Sequence, residues 1–379
     1  MSSPAAMLRI PSATVQCHAS NLLQLPDKTL LCAFFGGSQE GLPDISIWLS
    51  RLKPGSTSWT EPEKVSYDDG RSCQNPVLFR DPINGRIWLF HMSQDAGNQD
   101  GAYMLARTSK DNGITWSHAT RPLGDKKGVF TRQPVVVRHD GTWVLPVFYC
   151  RSEPGYRWIG SNDISGIFYS KDQGKTWHEK QLLDGIGACH MNILKPASQG
   201  SPWVAFFRSR WADNVYRATS SDGLDWDTPR PTTLLNPNSG ICAARLASGR
   251  IAIVFNDSAA SPESLKREGL YDDITPEDDK RPNQEAVGGK QAIWGTPRKR
   301  LSVGISDDEG LTWRVRILED GDGYCMTNSS TGQENRELSY PSIWADAQNG
   351  KDVVHVAFTF HRQYIKYAYI EDLDKWMGA

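Results

Sequence analysis

A short pattern, S-x-D-x-G-x-T-W, occurs three times in this chain: SKDNGITW at Ser109–Trp116, SKDQGKTW at Ser170–Trp177 and SDDEGLTW at Ser306–Trp313. A copy one residue shorter, SSDGLDW, spans Ser220–Trp226, and a degraded copy with a longer turn, SRLKPGSTSW, spans Ser50–Trp59. The copies start at 50, 109, 170, 220 and 306, so the intervals are 59, 61, 50 and 86 residues. Each copy reads as a turn between two strands. The Asp carboxylate accepts the backbone N–H groups that close the turn, Gly supplies a positive φ, and Trp opens the next strand and packs under the hairpin. One hairpin signal every 50–60 residues predicts a four-stranded sheet per repeat. Sheets repeated around an axis make a β-propeller, which closes as one unit despite its length. For 379 residues, six blades of about 63 residues fit the spacing better than seven of about 54. The expectation is therefore an all-β, six-bladed propeller forming a single domain over residues 1–379.

Segments between the repeats agree with this. TLLCAFF (29–35), TWVLPVFYC (142–150), WVAFFRSR (203–210), RIAIVFN (250–256) and VVHVAFTF (353–360) are rich in β-branched and aromatic residues. They are bounded by Gly, Asp, Asn or Pro, and no helical period of useful length competes with them. The 86-residue interval holds a long polar loop at about 257–291, charged and poor in apolar residues. A loop of that length in a compact domain is expected to be either a functional rim or a surface excursion.

Composition excludes several classes. Forty-two basic residues face 44 acidic ones, so no basic surface points to nucleic acid. No apolar run approaches the ~20 residues of a membrane span. The beginning, MSSPAAMLRIP, has no secretory pattern, which gives a cytoplasmic expectation. Seven scattered cysteines without a CxxC suggest free thiols rather than a disulfide frame or a zinc site. No His or carboxylate spacing suggests a metal, and nothing calls for a cofactor.

The repeats resemble the Asp boxes of the sialidase superfamily, and the similarity extends from about Cys17 to Ile370. In that resemblance Asp44, in FFGGSQEGLPDISIWLSR (34–51), matches the acid/base aspartate. Tyr340, in NRELSYPSIW (335–344), matches the tyrosine nucleophile. Arg208 and Arg298 match two of the three arginines that grip the substrate carboxylate, with Arg300 second to Arg298. The family's glutamate base falls on or near His190. Arg9-Ile10-Pro11 looks like the first-arginine motif but lies too early; the strand over 17–34 fits that blade better and puts His18 where the arginine is expected. Arg336 and Glu337 flank the tyrosine strand as further substrate-binding candidates. Weaker sugar-contacting candidates are Arg71 and Asn75, Arg132 and Gln133, Asn236 and Asn238, and Asn328.

Chemically, a phenol suits an anomeric centre that bears a carboxylate, because an anionic nucleophile would be repelled. His190 could serve as its base. The resemblance implies an exo-sialidase-type hydrolase that releases a terminal acidic sugar with retention, its partner an acidic carbohydrate rather than nucleic acid or membrane. Two alternatives stay open. The histidines in place of Glu and Arg would also suit a propeller lyase acting on uronate glycosides. The chain could equally be a non-catalytic glycan-binding propeller.

Overall fold

The computed structural model describes residues 5–68, 70–262, 281–321 and 337–378. It is nearly all-β, with one five-residue α-helix, Leu373–Met377, and one short 3-10 turn, Val287–Gly289, among those residues. Six antiparallel sheets follow one another along the chain. Blade 1 comprises Gln16–Gln24, Leu30–Gly37, Ser46–Leu52 and Glu63–Lys64. Blade 2 comprises Ser72–Arg80, Ile87–Asp95 and Asn98–Ser109. Blade 3 begins with two short pieces, Val129–Thr131 and Val136–Val137, both paired with Trp143–Tyr149, and continues with Ile164–Ser170 and His178–Gln181. Blade 4 comprises Ala188–Leu194, Trp203–Ser209, Asn214–Ser220 and Arg230–Leu235. Blade 5 comprises Cys242–Arg245, Ile251–Asn256, Arg300–Ser306 and Arg314–Asp320.

Blade 6 is assembled from both ends of the described chain. Leu338–Gln348, Lys351–Phe360 and Tyr364–Ile370 are joined on the outside by Ala6–Ile10. That pairing runs from Ala6 opposite Tyr369 to Ile10 opposite Ile365 and closes the ring. Arg9 therefore lies on an outermost strand, its guanidinium 4.6 Å from the Tyr364 ring centroid.

The apolar core is divided among the blade interfaces. One cluster joins blade 1 to blade 2 through Leu31, Ile47, Leu78 and Leu89. Equivalent clusters join blades 2 and 3, 3 and 4, 4 and 5, and 5 and 6, and the last joins blade 6 back to blade 1. Burial of apolar area at each seam, at about 25 cal/mol per Å², is what holds the sheets in a ring. The six described cysteines are all buried and unpaired.

The repeat turns occupy one equivalent place, directly after the third strand of their blades. In the last copy Ser306 Oγ donates to Asp308 Oδ1 (2.8 Å) and accepts from the Gly310 N–H (2.8 Å). Asp308 in turn accepts from Leu311 N, Thr312 N and Thr312 Oγ1, and these bonds hold its carboxyl down at about 2. The copies at Ser109 and Ser170 repeat the same bonds. The Trp of each box packs at the seam with the preceding blade, as Trp313 does against Phe206, rather than only under its own hairpin. Replacing Ser306, a fully buried residue, by Ala strands the Gly310 N–H. The expected cost is about 1–3 kcal/mol, read as a melting temperature lower by a few degrees.

Alternating strand direction fixes which loops share an end of the channel. The repeat turns lie at one end. The connections between second and third strands, and those from one blade to the next, lie at the other. The latter include the turn 38–44, the segment 150–163 and the insertion after Asn256.

Candidate functional site

At that second end the innermost strands carry a recurring irregularity. Their pairing slips between His18 and Asn21, Gln74 and Val77, Cys189 and Asn192, and Ser339 and Ser342. At each slip a non-glycine residue takes a left-handed backbone: Ala19 (φ 59), Asn75 (φ 50), His190 (φ 56) and Tyr340 (φ 49). These are β-bulges, which re-aim side chains at the rim of a sheet. For a residue as bulky as Tyr the conformation costs about 1–3 kcal/mol and persists only where its surroundings impose it.

Tyr340 is the centre of what those bulges gather. Its hydroxyl accepts a hydrogen bond from Arg208 Nη1. The guanidinium carbons of Arg208 and Arg298 each lie 5.5 Å from its ring centroid, and that of Arg132 lies 5.6 Å away. The His18 ring rests against it at 4.2 Å between centroids, and the His190 ring meets it edge-on at 5.7 Å. Gly240 closes another side, since a Cβ there would come within 3.3 Å of Tyr340 Cγ.

Arg132, Arg208 and Arg298 are placed by blades 3, 4 and 5, and Arg210 follows Arg208 at the same strand end. Arg208, at the end of Trp203–Ser209, also donates from Nε to Asn238 Oδ1 (2.6 Å). Asn238 is itself left-handed (φ 54), and its amide nitrogen donates to the Ile293 carbonyl (2.8 Å). Arg210 is neutralised by Asp163 at 2.8 Å, with both side chains out of solvent. Trp294 packs beneath the guanidiniums of Arg208 and Arg210, 5.9 and 4.9 Å from its centroid. The far end of the long polar insertion thus returns to the channel mouth. It is anchored there by Val287 N to Asn162 Oδ1 (2.7 Å) and Ile293 N to the Arg210 carbonyl (2.8 Å). Residues 263–280 of that insertion lie outside the described residues.

Glu337 organises the other side. Its carboxylate accepts from Arg298 Nη1 (2.6 Å), Arg362 Nε (2.6 Å) and Ser339 Oγ (2.8 Å). His18 Nε2 stands 3.7 Å from the same carboxylate. The two guanidiniums hold the Glu337 carboxyl well below the usual range against the opposing effect of burial. Burial, reinforced by Arg362, pushes His18 well below its ordinary value despite Glu337. His190 is lowered in the same way by burial and by Arg208, Arg210, Arg132 and Arg298. Both imidazoles are therefore neutral near pH 7. Arg208 is pushed down to about 10 by burial and stays charged.

Asp44 is set apart from this cluster. It is exposed, and its carboxylate accepts from the Ser38 N–H (2.8 Å) and hydroxyl (2.9 Å) within the turn 38–44. The same turn carries Glu40, which pairs with Arg362 and so ties the turn to the arginine cluster. Arg336 and Asn328 lie outside the described residues. Arg71 bonds Ser93 and Asp95 on its own blade. Arg300, the second choice beside Arg298, pairs with Asp320 on the neighbouring strand. Asp163, Trp294 and Arg362 had no sequence signal, because each acts through a partner 25 to 135 positions away.

Taken together, five buried guanidiniums, those of Arg132, Arg208, Arg210, Arg298 and Arg362, face three carboxylates, those of Asp163, Glu337 and Glu40. Among the described residues neither Arg132 nor Arg208 has a carboxylate partner. Arg208 Nη2 and His190 Nδ1 are buried polar atoms without one. The end of the channel thus gathers buried, net positive charge around one phenol. No group of three His, Cys, Asp or Glu able to hold a metal occurs among the described residues. None of their helices is long and apolar enough to cross a membrane.

Comparison with known proteins agrees with the architecture. Residues 28–356 match the model of the BNR repeat-like domain. A sialidase from Micromonospora viridifaciens is 24% identical over 295 residues, which is 68% of this chain and 42% of that protein. The chain thus spans well under half the length of this curated relative. Among solved structures, the Hadza microbial sialidase Hz136 superposes with a TM-score of 0.67 at 15% identity, covering 94% of this chain and 66% of that one. The intramolecular trans-sialidase from Ruminococcus gnavus superposes with a TM-score of 0.63 at 12% identity, covering 98% of each chain. These structural likenesses bear on the fold. With its repeat turns, its six blades and a family match over most of its length, the chain belongs to the BNR repeat-like family of the sialidase superfamily.

Proposed function

We propose that this protein is a sialidase-type glycosidase that removes a terminal acidic sugar with retention. The observation that carries the reading is the excess of buried guanidinium over carboxylate around the Tyr340 hydroxyl. Such an excess of buried positive charge favours an anionic ligand, and guanidinium binds carboxylate through charge-assisted, often bidentate bonds. Arg208 and Arg298 bind the sugar carboxylate. Glu337 keeps Arg298 and Arg362 in place and lets two buried cations coexist.

The chemistry runs in two displacements. The Tyr340 oxygen forms a bond to the anomeric carbon as the glycosidic C–O bond breaks. The phenol proton passes to His190, and Asp44 gives its proton to the departing oxygen. Water then attacks the anomeric carbon, losing its proton to the Asp44 carboxylate. The bond to Tyr340 breaks, and the phenol regains its proton from His190. A neutral His190 can take that proton, and a bound carboxylate offsets the four guanidiniums that depress its basicity. Replacing His190 by Gln is expected to lower kcat by about 10²–10⁴-fold with KM little changed.

One observation favours a second reading. The base beside the phenol is an imidazole rather than a carboxylate, and arginine, His and Tyr together also suit β-elimination from a uronate glycoside. A paired assay separates the two. The protein is incubated with a fluorogenic sialoside and, separately, with uronate oligosaccharides, reading fluorophore release and product absorbance near ~230 nm. Fluorophore release that depends on Asp44 and Tyr340 supports the glycosidase. New absorbance without release supports the lyase. Silence in both assays would favour a binding propeller.

A further inference from the structure

Arg132 follows the three-residue strand Val129–Thr131 of blade 3 and reaches across the channel to blades 1 and 6. Its Nη2 donates to three carbonyl oxygens, those of Ser20, Tyr340 and Pro341, each at 3.0 Å. Its Nε is buried and without a partner, and among the described residues no carboxylate pairs with it. A fully buried cation with only neutral carbonyls for company offsets its desolvation poorly. A second, anionic partner is what would complete it.

The position of that unfilled partner is defined by the neighbours. Arg132 lies 5.6 Å from the Tyr340 ring, on which His18 also rests. His18 occupies the place where an arginine is expected and is neutral, so the innermost strand of blade 1 brings no cation to the cluster. Arg132 holds the carbonyl of Ser20, two residues beyond His18, and so brings a positive charge beside the strand that lacks one. Its other two bonds hold the carbonyls on either side of the Tyr340–Pro341 bond, within the left-handed bulge.

We infer that Arg132 supplies the third cation for the substrate carboxylate, in place of the arginine absent at His18, and also pins the bulge that aims Tyr340. This inference rests on the acidic-sugar reading given above. It makes Arg132 a specificity-determining residue contributed by blade 3, which nothing in the motif order of the chain indicates.

The test uses the full chain, calorimetry and two probes: an uncleavable thioglycoside of sialic acid, and the same compound with its carboxylate converted to a primary amide. Arg132→Gln is expected to weaken binding of the acid by about tenfold to a hundredfold, the equivalent of one lost charge-assisted bond. Affinity for the amide should change by less than about threefold. Arg208→Gln serves as the reference for a carboxylate contact, and Arg9→Gln, on the outer strand, as the silent control. If Arg132→Gln weakens acid and amide equally, or neither while Arg208→Gln weakens the acid, Arg132 is only a brace and the inference is overturned. If the unaltered protein shows no preference for acid over amide, the acidic-sugar reading itself has failed. Should thermal melting show that Arg132→Gln does not fold, the crystal structure of the unaltered protein with the acid decides. A carboxylate oxygen within hydrogen-bond reach of the Arg132 guanidinium supports the inference, and a bound acid with no such contact overturns it.

Discussion

Tyr340→Phe is expected to reduce release of the acidic sugar by at least about 10⁴-fold, because no other group in the recess can take over the covalent step. Binding of an uncleavable analogue should stay within a few-fold. The ring keeps its contacts with His18, His190 and Gly240. What is lost is the oxygen that accepts from Arg208 Nη1. Among the described residues Arg208 then retains only Asn238 Oδ1 as a side-chain acceptor (2.6 Å). A hydrogen bond to a charged group is worth about 1.5–3 kcal/mol, so a modest fall in melting temperature should accompany the loss of turnover. Stopped assays with the fluorogenic sialoside, combined with calorimetry on the analogue, separate kcat from binding. Activity within about tenfold of the unaltered protein would remove Tyr340 from the nucleophile's role.

Glu337→Gln is expected to give the largest stability effect of any single substitution at the site. One carboxylate is shared by Arg298 and Arg362, and all three side chains are buried. Deleting its charge removes the carboxylate partner of Arg298 and one of the two carboxylates that pair with Arg362, all in a low-dielectric setting. Breaking a buried pair in this way costs about 3–5 kcal/mol. Chemical denaturation at pH 7 should show a lower midpoint with an unchanged slope. The pH dependence has a definite sign. The folded Glu337 carboxyl is held well below its ordinary value of 4.5, so the unfolded chain binds more protons as the solution is acidified. Its contribution is therefore full above about pH 4.5 and lost as the pH falls toward the folded value. The advantage of the unaltered protein over Glu337→Gln should narrow over that same interval. A gap that stayed constant from pH 7 to pH 3 would contradict the assignment of Glu337 as the shared counter-charge.

How far such a site could be read from the sequence depends on the range of the interactions that build it. The repeat turns were legible because each is closed by its own residues, as Ser306, Asp308 and Gly310 show. Their spacing gave the ring of blades. The ring's closure by Ala6–Ile10 on blade 6 was not legible, since it pairs residues more than 350 positions apart. Tyr340, Arg208, Arg298, His18 and His190 are singled out by their order along the chain and Glu337 by its place beside Tyr340, and they converge because each lies at the same end of its blade. The backbone that aims them was hidden. A left-handed tyrosine or histidine contradicts the local preference of those residues, and only a bulge held by neighbouring blades imposes it. Arg132 illustrates the same limit. Beside Gln133 and ahead of an apolar run it reads as an ordinary strand flank, yet its carbonyl partners are 112, 208 and 209 positions away. The polar insertion offered two fates by composition; the residues that follow it bring Trp294 beneath the guanidiniums of Arg208 and Arg210.

The central claim is that Tyr340 becomes covalently bonded to the anomeric carbon of an acidic sugar. It is tested most directly by incubating the protein with a fluorinated sialosyl donor, which slows release of the trapped sugar, and locating the added mass by peptide mass spectrometry. The account predicts one sugar per chain on the peptide that contains Tyr340, and none in Tyr340→Phe. Turnover of the unfluorinated sialoside with no adduct on that peptide, or an adduct that persists in Tyr340→Phe, would contradict it.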